Sequence, residues 1–239
     1  MKYLFSILFV FLASCQAQNT RGGTDAEAPV KAGQSPGVRP EEIINEKPEI
    51  VLDPSQIPSP IESIKALDKK IEDYHLGQNL TQEQLDDNLK LKREIIRGTF
   101  DIKELCRLSL TKHWDVISED QRKLFVSLMT RLLEKKAILS KEQVKGNKSY
   151  SINYQSEKFS DAKKTRATVK SKLVVPKDKM DFDLTYEMLL TPYGWKIFDV
   201  IVDDASLLTN YKFQFDKIIS KNGFDDLVKR MQTKLDTMK

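Results

Sequence analysis

The chain has 239 residues and a formal net charge of +4, with 31% charged and 8% aromatic side chains. So small a positive surplus argues against a nucleic-acid-binding protein. The chain contains two histidines and two cysteines, and none of them form a cluster with metal-ligand spacing. No cofactor is therefore expected.

The first fifteen residues have the pattern of a bacterial lipoprotein signal. Residues 3–11 are apolar, which is about half the length that a membrane span needs. Residues 12–15 read Leu-Ala-Ser-Cys and resemble a lipobox. We expect residues 1–14 to be removed and Cys15 to be acylated, which anchors the chain in a membrane. The alternative is an ordinary signal peptide with an incidental cysteine.

Residues 16–60 differ in composition from the rest of the chain. They hold seven of the nine prolines, four of the nine glycines and no aromatic residue. A segment with so little apolar surface is expected to be a disordered tether. At about 45 residues, its typical end-to-end distance is near 35–40 Å. The remaining domain, 61–239, is mildly basic, which suits a membrane surface or an acidic partner.

Helical spacing of apolar residues appears on both sides of a central region. Ser118 and Gln121 form a predicted capping box. The predicted helices run over 61–76, from Thr81 to Ile96, from Asp101 to Trp114, from Ser118 to about Leu139, from Ser206 to Asn222-Gly223, and from Phe224 to Leu235.

The central region alternates with period two, which predicts strands. Short turns at Gly146-Asn147, 176–179 and 192–194 predict a four-stranded antiparallel sheet. A turn centred at 177–178 predicts the pairs Leu173–Phe182, Ser171–Leu184, Val169–Tyr186 and Lys172–Asp183. The order helices, sheet, helices predicts an α+β fold with helices packed on one side of an antiparallel sheet.

Catalytic patterns are missing from the sequence. It contains no phosphate loop, nucleophile elbow or dinucleotide fingerprint. We interpret Cys106 as a small buried hydrophobe, His113 as a capping or core residue, and Asp203-Asp204 as turn residues. The sequence therefore predicts that the protein is not an enzyme.

Two segments resemble the MlaC family of periplasmic phospholipid-binding proteins. The first runs from Phe100-Asp101-Ile102 through Arg107 and Trp114 to Arg131-Leu132-Leu133. In the second, residues 194–200 read GWKIFDV and residues 206–215 read SLLTNYKFQF, similar to the family pattern GWKvyDV…SLvtNYRxQF. The chain departs from the family at Lys212, where arginine is usual, and at Met129, where phenylalanine is usual.

The resemblance implies a lipid carrier in a pathway that maintains outer-membrane lipid asymmetry. Phospholipid tails would lie in an apolar pocket between the sheet and the helices. The implied partners are an inner-membrane substrate-binding protein with its ABC transporter and an outer-membrane lipoprotein or porin complex. Gln16 follows Cys15 where an aspartate would signal retention in some bacteria, which favours anchoring in the outer membrane.

We predict eleven candidate lipid-binding residues in this pocket. For each of them, plain core packing is an equal alternative. The competing hypothesis for the whole protein is a tethered adaptor or scaffold with an ordinary packed core and no lipid cargo. The candidates are Trp114, Leu128, Met129, Leu132, Val169, Phe182, Leu184, Tyr186, Met188, Tyr211 and Phe215.

Overall fold

The computed structural model describes residues 53, 56–77, 79–136, 150–176 and 179–238. Within these residues the elements follow the order of an α+β fold, as predicted. The helices are α1 (Pro60–Ile71), α2 (Gln82–Thr99), α3 (Ile102–Leu110), α4 (Lys112–Val116), α5 (Glu119–Lys136), α6 (Leu207–Asn222) and α7 (Phe224–Thr237). The strands are β1 (Ser151–Phe159), β2 (Arg166–Val175), β3 (Met180–Thr191), β4 (Gly194–Val202) and β5 (Ala205–Ser206).

Several helices begin where a side chain caps free backbone N–H groups. The predicted capping box before α5 is present, because Ser118 Oγ accepts from Gln121 N and Gln121 Oε1 accepts from Ser118 N. Thr81 and Gln84 form a second such box before α2. Ser206 Oγ accepts from the backbone N–H of Thr209 and starts α6. Each cap stabilises its helix by about 1 kcal/mol.

The predicted helix from Asp101 to Trp114 is divided in two. Asp101 caps α3, but Thr111 takes φ 49° and ψ −121° and separates α3 from α4. Positive φ is unfavourable for a β-branched residue, so continuous helix ends there. Leu110 and Trp114 are both buried despite the break. Their spacing is therefore compatible with one helix or with two.

The sheet is antiparallel, in the order β1-β2-β3-β4-β5. All four predicted pairs between β2 and β3 are confirmed. On the outward face of this hairpin, Lys172 Nζ lies 3.1 Å from Asp183 Oδ1 and 3.0 Å from Asp181 Oδ2. The hairpin thus has one apolar and one charged face.

We predicted four strands, and the sheet has five. Asp203 and Asp204 both have positive φ, 47° and 67°, and they form a tight two-residue turn. The chain reverses there, and β5 pairs with the end of β4. A strand of two residues is too short for alternation to reveal it.

Some predictions lie outside the described residues. They are the lipobox, the tether up to residue 52, the end of the α5 helix at 137–139, the Gly146-Asn147 turn and the centre of the 177–178 turn.

Buried apolar side chains form two clusters. The sheet cluster joins α1 and Ile95 of α2 to one face of β2, β3 and β4. The helix cluster joins α3, α4, α5, α6 and α7 to Ile96 of α2. Ile95 and Ile96 are neighbours in sequence and point into different clusters. Phe100, half-buried at the end of α2, packs against both clusters.

Candidate functional site

Towards one end of the strands, the sheet cluster contains a row of almost fully buried side chains. Cross-strand pairing places Ala167, Met188 and Ile197 in one row, and all three are almost fully buried. Trp195 lies beyond this row, with its ring 6.1 Å from the ring of Phe159. Trp195 is 9% exposed and covers this end of the cluster, while Phe159 is 40% exposed.

The other end of the sheet cluster reaches the protein surface. Ile152, Leu173 and Phe182 form a row in which Leu173 is buried and its two neighbours are half-buried. Tyr150 and Met180 come next along the strands and are also half-buried apolar members of the cluster. We call these half-buried residues the open end. Apolar side chains without full burial offer a contact surface for an apolar ligand.

One wall of the sheet cluster is α1, which is attached to the edge strand β1. Glu157 Oε2 accepts a hydrogen bond of 3.0 Å from Ile61 N at the start of the helix. Asp68 Oδ2 accepts one of 2.8 Å from the Tyr154 hydroxyl. Lys65 Nζ lies 5.5 Å from the centre of the Tyr154 ring. These polar contacts, together with the apolar face of α1, hold this wall in place.

The connection from α1 to α2 is fixed by one buried amide. Asn88 Nδ2 donates to His75 O at 2.9 Å, and Asn88 Oδ1 accepts from His75 N at 2.8 Å. Lys92 Nζ of α2 also lies 5.3 Å from the ring centre of Tyr74. The two helices therefore cover the sheet as one layer.

A polar cluster of Asp68, Tyr154, Ser171 and Tyr186 lies inside the apolar sheet cluster. Tyr154 and Ser171 are directly opposite each other on β1 and β2. Tyr186 follows in the next row of the sheet. The exposed fraction is 8% for Asp68 and 1% for Ser171. Such buried polar groups are expensive unless they are hydrogen-bonded.

Burial shifts the pKa values of these groups. Desolvation raises the pKa of Asp68 to about 6, the hydrogen bond from Tyr154 opposes the shift, and the nearby Glu72 adds to it. Burial, followed by the charge of Asp68, also raises the pKa of the Tyr154 and Tyr186 hydroxyls. At neutral pH the site therefore holds a carboxylate among neutral phenols.

One atom of the polar cluster has unused hydrogen-bonding capacity. Asp68 Oδ1 is buried and has no hydrogen-bond partner among the described residues. Burial and the charge of Asp68 raise the pKa of Tyr186, and a hydrogen bond with the Ser171 side chain opposes this shift. Most buried polar atoms in proteins are hydrogen-bonded, so Asp68 Oδ1 is unusual.

The eleven candidate residues are divided between the two clusters. Val169, Phe182, Leu184, Tyr186 and Met188 belong to the sheet cluster or pack against it. Trp114, Leu128, Met129, Leu132, Tyr211 and Phe215 lie buried in the helix cluster. Phe100 packs against both clusters and lies between the two groups. Their contact with lipid stays a prediction.

Sequence reasoning missed the polar cluster. The apolar stripe of α1 was recognised from Ile64, Leu67 and Ile71, and Asp68 follows Ile64 by four residues. This spacing places the carboxylate on the buried face of the helix, and Asp68 is indeed buried. An acidic residue within an apolar stripe was the available signal. Ser171, in turn, was predicted only as a strand residue.

The described residues offer no cluster of metal ligands. They contain no group of three or more histidine, cysteine, aspartate or glutamate residues able to hold a metal ion. His113 Nε2 lies 2.8 Å from Asp216 Oδ1. Cys106 is fully buried, which raises the pKa of its thiol. Among the helices of the described ranges, none is long and apolar enough to cross a membrane.

The described residues form an α+β domain whose antiparallel sheet packs on helices around an apolar interior, with half-buried apolar side chains at one end of the strands. The sequence profile of the MlaC protein family matches residues 65–233, so the chain belongs to this family. The family consists of periplasmic lipid-transport proteins and is not a family of enzymes.

A solved structure supports the same fold. The phospholipid-binding protein from Ralstonia solanacearum, solved in complex with a phospholipid, superposes with a TM-score of 0.56 at 18% identity. The match covers 74% of this chain and 97% of that one. No curated protein matches the chain in sequence.

Proposed function

We propose that this protein is a membrane-anchored periplasmic phospholipid carrier. It moves lipid between the outer and inner membranes in an ABC-transporter-linked pathway that maintains outer-membrane lipid asymmetry. The observation that carries this proposal is the open end of the sheet cluster, because its half-buried apolar side chains offer acyl chains a contact surface. Membership of the MlaC family and the fold shared with a phospholipid complex support it.

The energetics of tail burial suit a carrier of this kind. Two tails of about sixteen carbons would lose on the order of 25 kcal/mol of burial in water. A protein interior and a bilayer are both apolar, so transfer between them is close to thermoneutral. The direction of transport is then set by the partners, which we propose to be an inner-membrane transporter complex and an outer-membrane lipoprotein or porin complex.

Anchoring is the second part of the proposal. Residues 1–14 are the signal peptide, Cys15 carries the acyl chains, and residues 16–60 connect them to the domain 61–239. A flexible tether of this length lets the domain swing over about 35–40 Å. The outer membrane is the proposed site of the anchor. Mass spectrometry of the mature N-terminus tests this arrangement, and a free Cys15 thiol would contradict it.

Native mass spectrometry of the purified protein tests cargo binding. We expect phospholipid to co-purify with the protein, and we expect the delipidated protein to take up lipid from vesicles. The delipidated protein should also unfold at a lower temperature, because a bound ligand stabilises the folded state. If no lipid co-purifies and the protein takes up none from vesicles, the adaptor hypothesis is supported instead. The packing of the helix cluster also suits that hypothesis.

A further inference from the structure

One end of the sheet carries exposed aromatic and basic side chains. The β1–β2 and β3–β4 turns both lie there, with Phe159 just before the first turn and Tyr193 in the second. Both aromatic side chains are exposed. We call residues 158–166 and 189–195 at this end the tip. We propose that the tip docks the domain on the surface of a bilayer that contains anionic phospholipid. Such a contact is separate from the acyl anchor and from the uptake of lipid.

The charge of the tip suits an anionic surface. Residues 158–166 hold four basic side chains and one acidic side chain, and residues 189–195 hold no charged side chain. Lys158, Lys163 and Lys164 are all exposed. Each lysine close to an anionic leaflet strengthens binding about fivefold.

The acidic side chain of the tip, Asp161, is used to shape the β1–β2 turn. Its Oδ1 atom accepts from the backbone N–H groups of Thr165 at 2.8 Å and Arg166 at 2.9 Å, and its Oδ2 atom accepts from Thr165 Oγ1 at 2.6 Å. Leu190 N donates to Thr165 O at 2.8 Å and joins this turn to the end of β3. The lysines therefore stand on a turn that is already ordered, which lowers the entropy cost of docking.

The aromatic side chains of the tip suit the interface of a bilayer. The Phe159 ring lies 6.1 Å from the Trp195 ring, and Lys164 Nζ lies 5.4 Å from the centre of the Phe159 ring. Phe159 can therefore contact lipid chains while Lys164 stays among the headgroups. Tyr193 adds an amphipathic ring of the kind that is enriched at membrane surfaces.

The chain ahead of α1 enters the domain on the side of the tip. Glu157, near the end of β1 that leads into the tip, contacts Ile61 at the start of α1. Asp68, further along the helix, contacts Tyr154 in the middle of β1. The helix therefore begins near the tip and runs away from it, so a membrane that holds the N-terminal segment is on the same side.

The opposite end of the strands is acidic. Four exposed aspartates lie there, Asp181, Asp183, Asp203 and Asp204. Lys172 pairs with the first two. Repulsion between like charges disfavours contact of this end with an anionic leaflet. The open end is on this side, so a domain docked by its tip turns the open end away from that membrane and towards a partner complex.

Sedimentation with vesicles tests the docking surface. The chain from residue 15 onward, carrying Cys15→Ser, is mixed with vesicles of phosphatidylethanolamine and phosphatidylglycerol, or of phosphatidylcholine alone. We expect strong binding only to the anionic vesicles. Lys163→Gln combined with Lys164→Gln should weaken that binding about thirtyfold. The matched control, Lys69→Gln combined with Lys70→Gln, removes two exposed charges at the far end of α1 and should weaken it less than about threefold.

A fluorophore reports which end of the domain touches the vesicle. Pro192→Cys and Asp181→Cys each add one exposed thiol to the Cys15→Ser chain, in which Cys106 is fully buried. Nitrobenzoxadiazole attached at position 192 should brighten on anionic vesicles, because it enters a less polar environment. The same dye at position 181 should not change.

The outcomes separate docking from the proposed function. If the wild-type chain does not bind anionic vesicles, or if both lysine pairs weaken binding equally, the tip is not a docking surface. If the tip variant binds like the wild type, an acidic protein or a second copy is the occupant and the bilayer is wrong. If the dye at position 181 brightens, the proposed orientation is wrong. Lipid uptake, counted by native mass spectrometry on the same samples, decides the carrier function independently.

Discussion

The helix cluster and the sheet cluster are built from similar apolar side chains and differ in the polar group that one of them encloses. In the helix cluster, Phe125 and Phe215 meet edge to face at 5.4 Å, and Tyr211 stacks on Phe215 at 5.3 Å. These three residues are almost completely buried. Half-buried apolar side chains pack against both clusters, but the sheet cluster also encloses the Asp68 carboxylate. The comparison teaches that half-burial does not distinguish the two regions, whereas a buried carboxylate does.

The largest effect on stability is expected in the helix cluster. Phe215→Ala should lower the free energy of unfolding by about 3–5 kcal/mol, because it leaves a cavity in a closed core. Urea unfolding measures this loss, and the folded fraction should still bind lipid. Phe213→Ala is the matched control, since Phe213 is 70% exposed on the same helix. A stable Phe215→Ala protein that no longer binds lipid would place the pocket in the helix cluster.

Asp68→Asn should stabilise the empty protein at pH 7.5. The pKa of Asp68 in the folded protein, about 6, lies above the ordinary aspartate value of 3.8. The charged carboxylate therefore opposes folding fully above pH 6, and this cost vanishes as the pH falls towards 3.8. The free energy of unfolding of Asp68→Asn should exceed that of the wild type by on the order of 2–3 kcal/mol at pH 7.5. The difference should fall by more than half at pH 4.5. Thermal unfolding of both proteins at these two pH values measures it.

A gain in stability that did not depend on pH would contradict this interpretation, since it would have another cause than the titration of Asp68. Asp73→Asn serves as the control for the loss of a negative charge, because Asp73 is exposed.

A smaller effect on stability is expected at the open end. Phe182→Ser should lower the free energy of unfolding by about 1 kcal/mol, because Phe182 is only half-buried. The same substitution should strongly reduce lipid uptake from vesicles. Val174→Ser is the matched control, because Val174 is half-buried on the opposite face of the sheet. Equal uptake by the two variants would show that the open end is not the route for lipid.

The sequence was sufficient to predict the β2–β3 hairpin in detail. A short turn fixes the register, and alternation decides which face is apolar, so the pairs from Val169–Tyr186 to Leu173–Phe182 followed. Capping at Ser118 and Ser206 was predictable for a similar reason, since it depends on residues only three positions apart.

What the sequence could not predict depends on contacts between distant elements. Periodicity tells which face of a helix is buried, but it does not tell what covers that face. For this reason the sequence did not predict that Leu128 belongs to the helix cluster and Leu184 to the sheet cluster. The polar cluster was missed on the same grounds, because Asp68 and Tyr154 are 86 residues apart in sequence.

The attachment of α1 has a mechanical consequence. Its side-chain hydrogen bonds to the sheet, at Glu157 and Tyr154, are both made with the edge strand. The backbone ladder between β1, β2, β3 and β4 does not pass through the helix. Loss of this helix would leave the ladder intact but would expose Ile64, Leu67 and Ile71, so apolar burial and not backbone hydrogen bonding holds it to the sheet. Any force applied to the chain ahead of Pro60 reaches this helix before the other described helices and strands.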